Sequence, residues 1–150
     1  MQPALVRALR AQRPRIRARW EDLLRAERST SPLANPDTLV HLLDLTLDEL
    51  LAAFGASDVR RRSARLPEAA CPCGRNPLLV YFASGRQATR EALVLAQAAM
   101  PALAPTERDS AFAELESIYS HIARREIESF CAVCQFRGAS AAAPSLAVTE

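Results

Sequence analysis

The chain contains no lysine: all 19 basic residues are arginine. β-Branched residues are also scarce, with seven Val, four Ile and six Thr, which argues against a sheet protein. Aromatic residues make up 5% of the chain and glycine occurs four times. Base-stacking platforms and glycine-rich phosphate loops therefore have little material. No uncharged apolar run reaches the roughly 18 residues of a membrane span. The opening segment, MQPALVRALRAQRPRIRARW, carries arginine throughout and has no apolar h-region, so a cytoplasmic protein is expected. Against 17 acidic residues the net charge is +2, too small to imply a nucleic-acid partner by itself.

What is present points to helices. Alanine and leucine are the two commonest residues, and Leu, Ile, Val and Phe together reach 24% of the chain. That exceeds the roughly 20% below which a chain tends to disorder. The expected fold is all-α: an antiparallel bundle of four main helices, with a long cysteine-bearing connection between helices two and three. Residues 1–137 form a single helical domain in this reading, and 138–150 a disordered tail without a packing pattern.

The first expected helix runs from about Pro3 to Arg28. Leu5, Leu9, Ile16, Trp20, Leu23 and Leu24 form one stripe, and Pro14 imposes a kink or a fresh start. Its other face, with Arg7, Arg10, Arg13, Arg17 and Arg28, reads as a solvated basic surface. The second helix is announced by the cap Asn35, Pro36 and Asp37, and ends at Gly55. Leu39, Val40, Leu42, Leu43, Leu47, Leu50, Leu51 and Phe54 give it a wide buried face, and Asp44, Asp48 and Glu49 a solvated acidic one. Asn76-Pro77 repeats the start signal for a third helix reaching about Met100. Its stripe includes Leu78, Phe82, Gly85, Thr89, Ala92, Leu93 and Ala96. The small residues Gly85, Ala88 and Ala92 predict close approach by another helix. After the break from Pro101 to Pro105, Thr106 with Asp109 resembles a capping box, opening a fourth helix to about Phe136. Phe112, Leu115, Ile118, Ile122, Ile127 and Phe130 face inward.

The residues that carry chemistry are four cysteines in two pairs, Cys71-x-Cys73 and Cys131-x-x-Cys134. Helices three and four are joined by a short linker, so an antiparallel hairpin is the default. The linker centre is near Leu103, and Cys73 precedes it by nearly the same stretch of chain as separates it from Cys131 and Cys134. Equal arms at equal rise per residue bring all four sulfurs to one end of the hairpin. Pro72 stiffens the first pair and Gly74 frees it to turn. The helix start, Arg75, Arg137 and the Arg60–Arg65 cluster favour thiolates.

Four thiolates suit tetrahedral zinc or an iron–sulfur cluster. The leading expectation is a non-enzymatic module in which Cys71, Cys73, Cys131 and Cys134 bind a structural zinc. The metal clamps the 56–75 connection to the last helix and presents a surface to a regulatory protein partner. The alternative is a redox sensor using the same residues for an iron–sulfur cluster or a reversible disulfide. A third reading, nucleic-acid binding through Arg7 to Arg19 and Arg60 to Arg65, is weakened by the balanced charge. The blandest reading makes the cysteines ordinary buried residues, and the pairing of two pairs outweighs it. His121 lies ten residues from Cys131, about 15 Å along a helix, and neither it nor His41 reads as a ligand. No nucleophile–base arrangement, HExxH or paired-carboxylate motif supports enzyme activity. An apolar face on helix one or three is a candidate homodimer surface.

Overall fold

The computed structural model describes residues 1–27, 34–54, 71 and 74–134, which are mostly helical with no strand among them. The elements are α1 (Pro3–Ala11), α2 (Arg13–Ala26), α3 (Pro36–Leu39), a 3-10 turn (Val40–Leu42), α4 (Leu43–Ala53), α5 (Pro77–Ala98) and α6 (Pro105–Val133). Most of the 56–75 connection and all of 138–150 lie outside the described residues.

Two of the expected helices are interrupted. The first breaks at Gln12, and α2 begins at Arg13 with Pro14 in its second position, one residue later in the helix than expected. Proline has no N–H to return to the preceding turn. Gln12 closes α1 by donating to the Leu9 carbonyl, and its own carbonyl accepts from Ile16 at 2.9 Å. The second breaks at the 3-10 turn, although Asn35 caps it as expected by accepting from the Asp37 amide at 3.0 Å. The tighter turn leaves Leu42 exposed instead of buried, while Leu39, Leu43, Leu47, Leu50, Leu51 and Phe54 enter the core.

α5 is the element on which α1, α2 and α6 all pack. Asn76 caps it, accepting from the Leu78 amide at 2.9 Å. At its other end the Arg108 guanidinium, reaching back from α6, donates to the carbonyls of Gln97, Met100 and Leu103, each at 3.1 Å. A cation thereby gathers carbonyls at the negative end of the helix and in the turn that follows it. The start of α6 corrects the expected Thr106 cap. Pro105 is the first helical residue, and the Glu107 carboxylate accepts from the Ala104 amide at 3.0 Å. An alanine at the cap supplies no side-chain acceptor, so only the returning half of a capping box forms.

α5 and α6 run antiparallel. Asn76 meets Ile127 and Cys131, Gly85 meets Tyr119, Arg90 meets Glu116, and Gln97 meets Arg108. Each step forward on α5 is matched by a step back on α6.

At the middle of α5 the expected close approach occurs. The Trp20 ring of α2 and the Tyr119 hydroxyl of α6 both lie where a Gly85 side chain would project. Trp20 is fully buried, and its indole N–H donates to the Tyr81 carbonyl at 2.9 Å. Trp20 and Tyr81 stand 4.8 Å apart between ring centroids, and Tyr81 meets Phe82 edge-on at 5.1 Å. These are favourable aromatic separations. Tyr81 donates its hydroxyl to Thr46 at 2.9 Å, and burial pushes its pKa up to about 12. Thr89 donates to the Gly85 carbonyl at 2.8 Å.

A methyl group at Gly85 would overlap both aromatic side chains, and neither a tryptophan inside three helices nor a buried tyrosine can swing aside. Gly85→Ala should therefore lower unfolding stability by about 2–3 kcal/mol, the cost of overpacking, despite alanine's better helix propensity. Urea titration followed by helical ellipticity measures this. Unchanged or increased stability would show that α2 and α6 do not close on α5 here.

Candidate functional site

The start of α5 and the end of α6 hold three of the four expected thiols: Cys71, Cys131 and Cys134. None of the three is in a disulfide, and Cys73 lies outside the described residues. Cys71 precedes α5 in a turn closed by the Gly74 amide donating to the Cys71 carbonyl at 3.0 Å. Gly74 has φ +64°, a left-handed conformation that costs glycine little.

Cys131 is buried on the inner face of α6. Its sulfur accepts from the Asn76 side-chain amide at 3.4 Å, and the Cys71 thiol is its hydrogen-bonding neighbour. Burial pushes the Cys131 thiol above its ordinary pKa, the Asn76 amide opposes that shift, and Cys71 adds to it. Cys134 is near enough to act on Cys131 electrostatically. It lies just past the end of the helix. α6 ends at Val133, and Cys134 is the extended capping residue, half-buried, its amide donating to the Cys131 carbonyl at 3.3 Å.

Two thiols from opposite helix ends thus meet, with a third at the edge. Among the described residues, no three His, Cys, Asp or Glu side chains stand close enough together to hold a metal ion. His41 and His121 are both exposed, away from the sulfurs in sequence and on other faces. In sequence Asn76 reads only as a cap. Its distinguishing signal is burial, with 3% of its surface exposed, and that is invisible in an Asn-Pro dipeptide.

Much of the arginine and carboxylate faces read as solvated is paired across helices while staying partly exposed. Arg13 donates to Asp48 at 2.7 Å and to Asp44 at 3.0 Å, while Arg17 donates to Asp44 at 3.2 Å and Glu21 at 3.0 Å. Arg10 donates to the Leu51 carbonyl at 3.1 Å. On the opposite side of α4, Arg125 of α6 holds Glu49 with two hydrogen bonds of 2.8 and 2.9 Å. Arg19 likewise grips Glu91 of α5 at 2.8 and 3.1 Å. Net charge is neutral to this arrangement, so composition had no means of revealing it. Arg28 and the Arg60–Arg65 cluster lie outside the described residues. No helix among the described residues is long and apolar enough to cross a membrane.

No protein-family model, curated protein or solved structure matches the chain.

The hydrogen bond from Arg17, then that from Arg13, holds the Asp44 carboxyl below its ordinary value of 3.8. A depressed carboxylate pKa stabilises the fold at every pH above the unfolded value, and that contribution disappears as pH falls through the folded one. Asp44 is half exposed, so solvent screens the pair. Asp44→Asn should lower Tm by roughly 1–5 °C at pH 7 and low salt, with a smaller difference in molar salt. The gap should close as the pH is taken below 3.8 toward about 1. A gap that persists at that pH would mean the side chain acts by packing, not charge.

Proposed function

We propose that the chain is a non-enzymatic thiolate module, an antiparallel bundle of four main helical arms in which Cys71, Cys73, Cys131 and Cys134 bind a structural zinc. The observation that carries this reading is the meeting of Cys71 and Cys131, far apart in sequence, at the open end of the α5–α6 hairpin. Zinc fits the donor chemistry, since soft thiolates with no histidine or carboxylate among them favour it over hard cations. Cys71 neighbours Cys131, and Cys134 is near enough to act on it electrostatically. Cys73, two residues after Cys71, is the remaining donor. The metal's work would be structural: tying the segment before α5 to the end of α6, and so fixing a surface for a regulatory protein partner.

A second reading has its own observation. Cys71 and Cys131 are direct thiol neighbours with the other thiol, Cys134, at the edge. A reversible disulfide between those two would close the same end without a metal. Nucleic-acid binding is less favoured, because Arg13, Arg17 and Arg19, which it would use, are already held by carboxylates.

The test is elemental analysis of protein purified without oxygen. A colourless protein with about one zinc per chain supports the structural site, and a brown protein absorbing in the visible would assign an iron–sulfur cluster to the same cysteines. Cys131→Ser should cut zinc occupancy and increase protease cleavage within 56–70. Absence of metal together with four readily titrated thiols overturns the metal reading. The disulfide reading is then decided by mass mapping after treatment with a small disulfide, where a Cys71–Cys131 link is expected.

A further inference from the structure

We propose that Asn76 is the positioning residue of the sulfur site, one side chain that sets both the start of α5 and the direction of the Cys131 sulfur. The inference deepens the thiolate reading above and rests on it for its metal consequence.

Asn76 is almost fully buried and makes three contacts of different kinds. Its oxygen accepts from the Leu78 amide at 2.9 Å. Its nitrogen donates to the Ile127 carbonyl at 3.2 Å and to Cys131 Sγ at 3.4 Å. The orientation of the amide follows from its partners. Leu78 N–H needs an acceptor, and the Ile127 carbonyl needs a donor, so turning the group over would break both. One end of the amide therefore belongs to α5 and the other to α6.

Capping alone does not explain the choice of residue. Serine and aspartate cap helices as well as asparagine does, and neither carries an N–H. Only asparagine provides the acceptor for its own helix and two donors for the next one from so short a stem. The second helix of the chain supplies an internal comparison. Asn35 precedes Pro36 in the same motif and makes the same cap, but it is exposed. The buried donors are what distinguish Asn76.

An N–H donated to a ligating sulfur is a recurrent outer-sphere contact in thiolate sites, where it fixes the rotamer and moderates the charge on sulfur. Here it would hold Cys131 facing Cys71, leaving the helix-end Cys134 to approach from the side.

Asn76→Ser and Asn76→Asp separate the two roles, since both keep the cap and lose the two amide N–H donors that reach α6. Each variant should retain the parent's helical ellipticity. In competition against a chromophoric chelator, each should bind zinc about 10-fold or more weakly, with unchanged stoichiometry. Zinc affinity equal to the parent's in both variants would overturn the proposal. If the parent binds no zinc, the metal reading falls by itself and the positioning role is decided in the metal-free, reduced protein. There the Asn76 side-chain amide protons, followed by NMR, should exchange with solvent about 3-fold faster or more after Cys131→Ala and at the parent rate after Cys134→Ala. Equal effects of the two substitutions, or no effect of either, would show that the amide does not hold that sulfur.

Discussion

Gly85 is the position on which the described helices converge. Without a side chain there, the α5 backbone presents a flat patch, and the largest side chain of the protein can lie directly on it. Trp20 uses that contact twice, by filling the space and by donating its indole N–H to the Tyr81 carbonyl one turn earlier. Tyr119 approaches the same patch from α6, with Thr89 as the polar residue beside it. Burial holds its hydroxyl well above the ordinary tyrosine range. The arrangement fixes three helices through one missing methyl group, and it explains why α5 is flanked on both sides.

The polar contacts around that core tie the remaining elements down. α4 is held by the buried Leu43, Leu47, Leu50 and Leu51, and arginines from two helices pair with its outer face. Arg13 and Arg17 of α2 take Asp44 and Asp48, while Arg125 of α6 takes Glu49. Individually such exposed pairs contribute little. Together they reinforce the rotation that the buried leucines impose on α4, because its acidic residues meet cationic partners from both α2 and α6. Arginine suits this work better than lysine, since its planar fork makes two bonds to one carboxylate, as Arg19 does with Glu91 and Arg125 with Glu49. The absence of lysine thus has a structural expression, whatever its origin.

Periodicity was enough to read the helices, and end signals were enough to read where α3 and α5 begin. Asn35-Pro36 and Asn76-Pro77 carry their mechanism within two residues. The inward stripes of α2, α5 and α6, Phe130 excepted, and the small-residue contact at Gly85 were legible for the same reason: helical spacing states which residues share a face. The breaks were harder. A proline at position 14 announces trouble without saying at which residue the new helix starts, and nothing local marks the tight turn at Val40–Leu42. Arg108 was invisible because its acceptors are backbone carbonyls, which every residue has. The polar pairing of α2 with α4 was hidden because a charged stripe looks the same facing water or facing an opposite stripe. At the sulfur end, the equal arms of the hairpin placed Cys71 near Cys131. They did not place Cys134, which depends on where α6 stops.

That register is the last step linking core to site. On a helix, one residue of slip turns a side chain by about 100°. Had α6 slid by one position along α5, Cys131 would face away from Asn76 and Cys71. Three separated contacts prevent it: Arg108 on the last carbonyls of α5, Tyr119 against Gly85, and Asn76 on the Ile127 carbonyl. They lie at the closed end, the middle and the open end of the hairpin. A slip would have to break all three together, including one set in the most tightly packed part of the protein. The place where the two thiols meet is therefore set along the whole hairpin, with two of the three contacts remote from sulfur. A ligand or disulfide there would join Cys131 to a neighbour across a hairpin whose register is already fixed.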